Sequence, residues 1–314
     1  MSSTPGTALV TGGHGFLGKA VASQLKRDGF RVVGIGRGGW SDAEALAQGF
    51  DTWLAADVTL PSLTTLEESF DLVVHCAGNG SVGHSVTHPW QDFHKTVVST
   101  ADLLEYLRLR GSRAMLVYPS SAGVYGAKAD APICETAALE PISPYGFHKK
   151  MVEDLLASYS ASYGLRITVV RFFSVYGPGL TKQLLWDAGA KLRAARVGPA
   201  VFWGTGEETR DWISIDDAAK LIVAAAGRGE RFSVLNGASG ERVTVRKTIE
   251  LLRSALGVEA GIDFNNAVRE GDPRFYHADI RRAIALGWRP STSLSDGIAR
   301  YARWLIEHEE RLLD

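Results

Sequence analysis

The sequence predicts an α/β fold, namely a doubly wound parallel sheet with a smaller C-terminal cap. In the first half of its 314 residues, short apolar runs alternate with segments of helical period, which is the pattern of a parallel sheet covered by helices on both faces. A glycine-rich turn separates the first apolar run from the first helical segment. After Phe173 the alternation weakens. Because ligands of such sheets bind where the strands end, we expect the later part of the chain to cover that edge.

The first turn has the glycine spacing of a dinucleotide site. Glycines at these positions allow a tight reversal, close approach of the backbone to a pyrophosphate, and close packing of the next helix on the sheet. The start of that helix offers N–H groups and a positive dipole to phosphate. A plain strand-to-helix turn also favours glycine, but this spacing within a strand-helix-strand unit predicts a Rossmann-type site. The predicted cofactor contacts of the turn are Gly12, Gly15, Phe16, Leu17 and Gly18.

The other elements follow from the same patterns. Apolar runs predict strands over 52–56, 71–76, 114–119, 166–173, 200–203 and 233–235. Helical period predicts helices near 184–195, 217–226, 244–256 and 295–305. We therefore expect a dinucleotide-binding domain over residues 1–173, completed by about 214–236, and a substrate-binding cap over 174–213 and 237–314.

The composition excludes several classes of protein. A formal net charge of -1 without a basic cluster gives no indication of a nucleic-acid partner. The longest apolar runs are too short to cross a bilayer, and the N-terminus lacks the pattern of a secretion signal, so cytoplasm is the default expectation. Cys76 and Cys134 are too few for a disulfide framework, and no metal-ligand spacing is present among the histidines, so no metal is predicted.

The end of the second strand indicates which dinucleotide binds. An acidic residue there would bind the ribose 2′-hydroxyl, but the chain has Gly36 followed by Arg37. Because arginine can bind a 2′-phosphate as a planar bidentate donor, the predicted cofactor is NAD(P) with a preference for NADP. A solvated loop arginine is the alternative. Asp57, after the third strand, is a candidate partner for adenine, or a cap of the following helix.

Tyr145 and Lys149 are candidate catalytic residues. They lie four residues apart at the start of a helical segment, so they share a face. A tyrosine has a pKa of about 10, and we expect an adjacent ammonium, together with an oxidised nicotinamide, to lower it. Such a pair can exchange a proton with an alcohol as hydride leaves its carbon. Ser120 and Ser121 end a strand that points to the same edge, so one of their hydroxyls can bind the reacting oxygen or cap the strand.

The ordered motifs TGGHGFLG, HCAG, SSAGVYG, YGFHK, RFFSVYGPG, RDWISIDDAA and REGDPR resemble the extended short-chain dehydrogenase/reductases of the nucleotide-sugar epimerase type. The resemblance covers nearly the whole chain. It implies that Ser121, Tyr145 and Lys149 are catalytic, and that Lys149 also holds the nicotinamide ribose. It further implies cofactor contacts at Val58, Ala77 and Gly78, and substrate contacts at Ser120, Ser174, Arg210 and Arg269. The two arginines would bind the diphosphate, a role that suits their bidentate geometry.

The sequence departs from the family pattern at several positions. Ser174 and Thr96 stand where the family usually has asparagine. Members that eliminate water carry an acid pair directly after the catalytic hydroxyl residue, and this chain has Ala122 and Gly123 there. Without an acid to protonate the leaving hydroxyl, dehydration is disfavoured.

Three functions remain open at the level of the sequence. The first is an NAD(P)-dependent epimerase of a nucleotide-diphosphate sugar, acting at C4 through a 4-keto intermediate. The second is an NADPH-dependent reductase of a nucleotide-linked 4-keto sugar, which would use the same residues. The third is a dinucleotide-sensing protein without catalysis, which would have no need for Ser121, Tyr145 and Lys149 together.

The resemblance also predicts a homodimer, since such enzymes usually pair through two helices per subunit. The helices beginning near Asp92 and Tyr145 would form a bundle. The candidate apolar contacts are Val98, Leu103, Leu107, Val152, Leu155 and Tyr159.

Overall fold

The computed structural model describes residues 6–195, 198–227, 230–267 and 274–313. The strands are β1 (Thr7–Thr11), β2 (Arg31–Gly36), β3 (Thr52–Ala55), β4 (Leu72–His75), β5 (Met115–Ser121), β6 (Arg166–Phe172), β7 (Ser174–Tyr176), β8 (Ala200–Phe202), β9 (Thr209–Arg210), β10 (Trp212–Ser214), β11 (Phe232–Gly237), β12 (Val243–Thr244) and β13 (Ile262–Phe264). The helices are α1 (Phe16–Arg27), α2 (Asp42–Ala47), α3 (Leu60–Thr64), α4 (Val82–Thr87), α5 (Pro89–Phe93), α6 (Ser99–Leu109), α7 (Pro144–Tyr163), α8 (Gln183–Ala194), α9 (Ile215–Ala226), α10 (Val245–Ala255), α11 (Arg281–Ile284) and α12 (Leu294–Leu313). A π-helical turn spans His94–Val98, and a 3-10 turn spans Ala122–Val124.

Seven of these strands form the central sheet, in the order β11-β6-β5-β4-β1-β2-β3. Every pair in it is parallel. The late strand β11 pairs with β6, so the segment near Ser233 completes the sheet as the sequence predicts. The predicted doubly wound parallel sheet is confirmed.

Two apolar clusters cover the faces of the sheet. Successive strand residues point to opposite faces, so Ala8 and Val10 of β1 join one cluster with α1 and α9. Leu9 joins the other cluster with α6 and α7. Fully burying a side chain of this size contributes about 1.5–3 kcal/mol, so both faces must be covered to stabilise the sheet.

The residues after β6 build a third apolar cluster, to which α8, α10 and α12 contribute. It contacts the loops at the carboxyl ends of the strands. Phe16, directly after the turn that follows β1, packs against this cluster, and the Gln183 amide donates to the Gly80 carbonyl in the loop after β4 at 2.8 Å. The cap therefore lies over the predicted edge, while the domain boundaries at 173, 214 and 236 stay a prediction.

Helix α7 has clear start and stop signals. The Ser143 hydroxyl caps it by accepting from the Gly146 amide at 3.2 Å, and Pro144 occupies its first turn. Gly164 ends it in a left-handed conformation with φ of 73°. Tyr145 therefore lies in the first turn, and Lys149 lies one turn further along the same face.

Three of the six predicted dimer contacts need correction. Leu103, Leu107 and Val152 are buried in the cluster between α6, α7 and the sheet, because the apolar stripe of each helix faces its own core. On the outer surface of α7, Phe147 and Met151 are instead exposed. The homodimer itself stays a prediction. Within the described ranges, no helix has the length and apolarity needed to span a membrane.

Candidate active site

The glycine turn after β1 has no space for a side chain at two of its positions. Gly12 has a φ of 65°, and a Cβ atom there would lie 2.6 Å from the Ala77 backbone nitrogen. A Cβ atom at Gly18 would lie 2.4 Å from the Gly12 carbonyl oxygen. Gly15 precedes α1, and among the described residues no side chain caps this helix. Free amides and the helix dipole therefore face the turn, and the turn fits a pyrophosphate.

The other predicted cofactor residues lie around this turn. The side chains of Phe16 and Leu17 pack into apolar clusters, so only their backbone amides face the turn. The Ala77 amide donates to the Thr11 hydroxyl at 3.2 Å, and Gly78 follows with a φ of 131°. Val58 is buried after β3. These residues surround the carboxyl ends of β1, β3 and β4.

At the end of β2, Arg37 pairs with Asp57. Their closest atoms, Nε and Oδ1, are 3.5 Å apart, and the two side chains are 64% and 73% exposed. A pair this exposed contributes at most about 1 kcal/mol. Arg37 is thus exposed to solvent, as in the alternative interpretation, and a carboxylate lies beside it.

An aromatic group lies next to Arg37 and was not predicted from the sequence. The His14 ring stacks on Trp40 with centroids 4.4 Å apart, and the Trp53 indole donates to the Gly38 carbonyl at 2.7 Å. Burial, and then the charge of Lys19, lower the pKa of His14. The one indication of this packing in the sequence is the presence of Trp40 and Trp53 shortly after the second strand.

Ser121, Tyr145 and Lys149 come together at the carboxyl end of β5. The Ser121 oxygen accepts from the Gly123 amide at 3.1 Å, and its hydroxyl hydrogen-bonds Tyr145. The Lys149 Nζ lies 6.0 Å from the centre of the Tyr145 ring. Lys149 is almost fully buried, and Nζ donates to the Tyr118 hydroxyl at 2.9 Å and to the Pro119 carbonyl at 3.0 Å.

Burial dominates the electrostatics of this group. Burial raises the pKa of Tyr145, the hydrogen bond from Ser121 lowers it, and the charge of Asp92 raises it again. The net shift of the Tyr145 pKa is upward, because burial outweighs the hydrogen bond. The lowered pKa expected beside an ammonium and an oxidised nicotinamide stays a prediction. Burial lowers the pKa of Lys149 to about 8, against the negative charges of Asp92 and Glu153.

The structure corrects the expectation for Ser120. Adjacent strand residues point to opposite faces, so Ser120 points inward when Ser121 faces the site. Its hydroxyl donates to Glu153 Oε1 at 2.5 Å, and Arg171 Nη2 lies 2.7 Å from Glu153 Oε2. All three side chains are buried. Ser120 therefore supports the interior below the site and is unavailable to a substrate.

The predicted substrate contacts lie where β7 and β9 begin the cap. Ser174 is half-buried at the start of β7, and the Arg210 guanidinium lies 5.9 Å from the Tyr276 ring centre. Arg269 lies outside the described residues. Asp211, which the sequence analysis missed, accepts from Ser239 and from backbone amides including that of Ala278 at 3.1 Å. It therefore joins three cap segments, and burial raises its pKa to about 6.

Comparison with known proteins finds a matching family and similar sequences. The model of the NAD dependent epimerase/dehydratase family matches residues 8–236. A UDP-glucose 4-epimerase of Mycolicibacterium smegmatis is 33% identical over 308 residues, which cover 93% of this chain and 96% of that protein.

Two solved structures are similar over nearly the whole chain. One is a UDP-glucuronic acid 4-epimerase from Bacillus cereus in complex with UDP-glucuronic acid and NAD, with a TM-score of 0.86, 26% identity, and coverage of 96% of this chain and 99% of the other. The other is a UDP-glucose 4-epimerase from Stenotrophomonas maltophila with bound NAD and formylated UDP-arabinopyranose, with a TM-score of 0.88, 28% identity, and coverage of 98% and 99%.

Proposed function

The chain belongs to the NAD dependent epimerase/dehydratase family, and from this premise we propose that it is an NAD-dependent 4-epimerase of UDP-linked sugars. The observation that carries the proposal is the position of Ser121, Tyr145 and Lys149, which meet at the same sheet edge as the glycine turn. The relatives described above are named 4-epimerases of UDP-sugars.

Tyr145 is the proposed proton carrier. It takes the proton of the C4 hydroxyl and later returns a proton to the same oxygen, as general base and then general acid. The Ser121 hydroxyl donates to the reacting oxygen. The chemistry that a bound nicotinamide would supply is the reversible acceptance of a hydride from C4. Burial excludes water from Lys149, which strengthens its charge interactions.

Four groups of residues are proposed to hold the cofactor. The amides of the Gly12–Gly18 turn bind the pyrophosphate, and Lys149 binds the nicotinamide ribose. Ala77 and Gly78 line the centre of the site, while Asp57 and Val58 line the adenosine end. NAD is the proposed dinucleotide, because both solved relatives described above carry NAD and because Asp57 beside Arg37 would repel a 2′-phosphate. The preference for NADP has no support among these relatives.

Residues of the cap are proposed to bind the substrate. Arg210, together with Arg269, would bind the diphosphate by bidentate hydrogen bonds, and Ser174 would contact the sugar. Ala122 and Gly123 follow Ser121 in the 3-10 turn and offer no acid to protonate a leaving hydroxyl. This supports epimerisation over elimination of water.

The test incubates the purified protein with UDP-glucose and, separately, with UDP-glucuronic acid, with and without added NAD. We expect the matching 4-epimer by chromatography and proton NMR, without net consumption of NAD, and none from Tyr145→Phe. Net oxidation of NADPH with a UDP-4-keto sugar, and no interconversion of 4-epimers, would instead identify a reductase. Absence of both reactions would refute the proposed activity.

A further inference from the structure

One aromatic side chain of the cap contacts three regions of the site and has no role in the function proposed above. Tyr276 is half-buried, and its hydroxyl donates to the Ala122 carbonyl at 3.1 Å. The centre of its ring lies 5.7 Å from that of Phe173 in an edge-to-face contact, and 5.9 Å from the guanidinium carbon of Arg210. A single side chain thus connects the 3-10 turn, the junction of β6 and β7, and strand β9.

The three neighbours of this tyrosine are, or directly adjoin, residues that the proposed function assigns to the reaction or the substrate. Ala122 directly follows Ser121, and Phe173 directly precedes Ser174. Arg210 is itself a proposed ligand of the diphosphate. The tyrosine therefore bridges the part of the cap that would bind the diphosphate and the turn that follows the catalytic serine.

The backbone of the tyrosine is fixed to the strand that carries Arg210. Its amide donates to the Thr209 carbonyl at 3.2 Å, and the Thr209 amide donates to the Arg274 carbonyl at 2.9 Å. Two residues further along, the Ala278 amide donates to Asp211 Oδ2 at 3.1 Å. Any displacement of β9 on ligand binding therefore carries the phenol with it.

On the other side, the phenol binds the same peptide group that binds Ser121. The Ala122 carbonyl and the Gly123 amide belong to one planar peptide. Its oxygen accepts from Tyr276 and from the Tyr125 amide at 3.0 Å, and its N–H donates to Ser121 Oγ at 3.1 Å. A donor at the oxygen of a peptide polarises it and strengthens the bond that its N–H makes. The orientation of Ser121 is thus tied to a peptide that Tyr276 holds.

We propose that Tyr276 is a positioning residue that couples occupancy of the diphosphate site at Arg210 to the orientation of the Ser121 hydroxyl, through the peptide between Ala122 and Gly123. Because Ser121 Oγ accepts from this peptide, its own hydrogen stays available to the reacting oxygen. The inference rests on the roles of Ser121 and Arg210 in the proposed function. A contact that only packs the cap against the turn is the alternative.

The test observes the Gly123 amide by NMR, so it does not depend on turnover. Protein labelled with 15N-glycine and saturated with NAD is titrated with UDP, and Gly123 is assigned from the signal missing in Gly123→Ala. A Cβ atom at this position would lie 3.4 Å from its nearest neighbours, which is an ordinary contact, so this variant should fold. In the parent, binding of UDP should displace the Gly123 signal.

Two substitutions separate the contacts of Tyr276. Tyr276→Phe keeps the ring and removes only the hydroxyl, so the UDP-induced displacement of the Gly123 signal should be lost while UDP affinity, measured by calorimetry, stays close to that of the parent. Tyr276→Leu also removes the ring from Arg210 and should weaken UDP binding by about two- to fivefold. Tyr163→Phe is the matched control, because Tyr163 is 55% exposed at the far end of α7, and it should match the parent in both measurements. Circular dichroism checks that each variant is folded.

Loss of the Gly123 response in Tyr276→Phe, with UDP affinity retained, would support the coupling. In an active parent, this variant should also lower kcat by about two- to tenfold, the usual effect of one hydrogen bond, and leave KM nearly unchanged. An equal Gly123 response in the parent and in Tyr276→Phe would overturn the coupling, as would a parent that binds UDP without any Gly123 response. Coupling without epimerisation would refute the epimerase proposal and leave the positioning role standing. A parent that does not bind UDP would refute both.

Discussion

The ammonium of Lys149 donates to the hydroxyl of Tyr118 at 2.9 Å. Both side chains are buried, and the ammonium also lies 4.5 Å from the centre of the Tyr118 ring. Tyr118 belongs to β5 and Lys149 to α7, so the contact connects the strand that carries Ser121 to the helix that carries Tyr145. The lysine is thereby held in place before any ligand binds.

Tyr118→Phe should therefore weaken the charged form of Lys149. Loss of a hydrogen bond to a charged group costs about 1.5–3 kcal/mol, and about 1.4 kcal/mol corresponds to one pKa unit. We expect the pKa of Lys149, which burial lowers to about 8, to fall by roughly one more unit. NAD affinity, measured by calorimetry across pH, should then be lost at a lower pH than in the parent. If NAD affinity were lost at the same alkaline pH in the variant as in the parent, the Tyr118 hydroxyl would not stabilise the ammonium.

Tyr145→Phe should remove nearly all turnover and leave cofactor binding largely intact. The ring stays in its half-buried position, and only the proton-carrying oxygen is lost. General acid-base groups of this kind contribute about a hundred- to ten-thousandfold. Turnover and NAD affinity of the variant should be measured together, because activity within a few-fold of the parent would reject the assignment.

Arg171→Met should destabilise the fold through the buried pair with Glu153. Removing one partner leaves an uncompensated buried charge, which typically costs about 3–5 kcal/mol. Urea denaturation should show this loss of unfolding free energy. Lys150→Met is the matched control, because the Lys150–Asp154 pair is a solvent-exposed pair on α7 and should contribute less than about 1 kcal/mol. Equal effects of the two substitutions would contradict this account.

The sequence reveals the fold and most of the site, but not which side chains face each other. The two adjacent serines at the end of β5 are equivalent in sequence. Only the pairing of Ser120 with Glu153, 33 residues later, shows which one faces inward. Glu153 and Arg171 interrupt otherwise apolar patterns, which signals a buried charge but not its partner.

The same limit applies to the helices. Helical period identifies Leu103 and Val152 as apolar positions, but it does not distinguish the protein's own core from a partner, and both residues lie in the core. The Asp92–His148 contact joins residues that are 56 positions apart. The aromatic group around His14 depends on packing between the segments on either side of α2, β3 and the glycine turn, and no local pattern specifies it.

Acid should destabilise the protein through His75. This side chain is buried between the Thr11 and Thr100 hydroxyls, and burial, followed by the charge of Lys149, lowers its pKa from 6.5 to about 3. Between these values the unfolded chain binds a proton that the folded chain does not, so the free energy of unfolding falls as the pH falls. The decrease approaches about 1.4 kcal/mol per pH unit. Urea denaturation of the parent and of His75→Gln should be measured at a series of pH values. The free energy of unfolding should depend less steeply on pH in the variant than in the parent.

The final prediction concerns the choice between NAD and NADP at Arg37. Arginine at this position favours a 2′-phosphate, but the structure places the Asp57 carboxylate 3.5 Å from its guanidinium. That carboxylate would repel a phosphate and can accept hydrogen bonds from ribose hydroxyls, so we expect the parent to bind NAD at least as tightly as NADP. Asp57→Asn removes the repulsion and should tighten NADP by about tenfold, since hydrogen bonds to charged groups contribute about 1.5–3 kcal/mol. Adding Arg37→Ala to that variant should abolish the gain, because the phosphate then has no cationic partner there. Titration of both dinucleotides against the parent and the two variants measures these differences. A parent that prefers NADP tenfold or more would show that Arg37 binds the phosphate despite Asp57, and the proposed cofactor would be wrong.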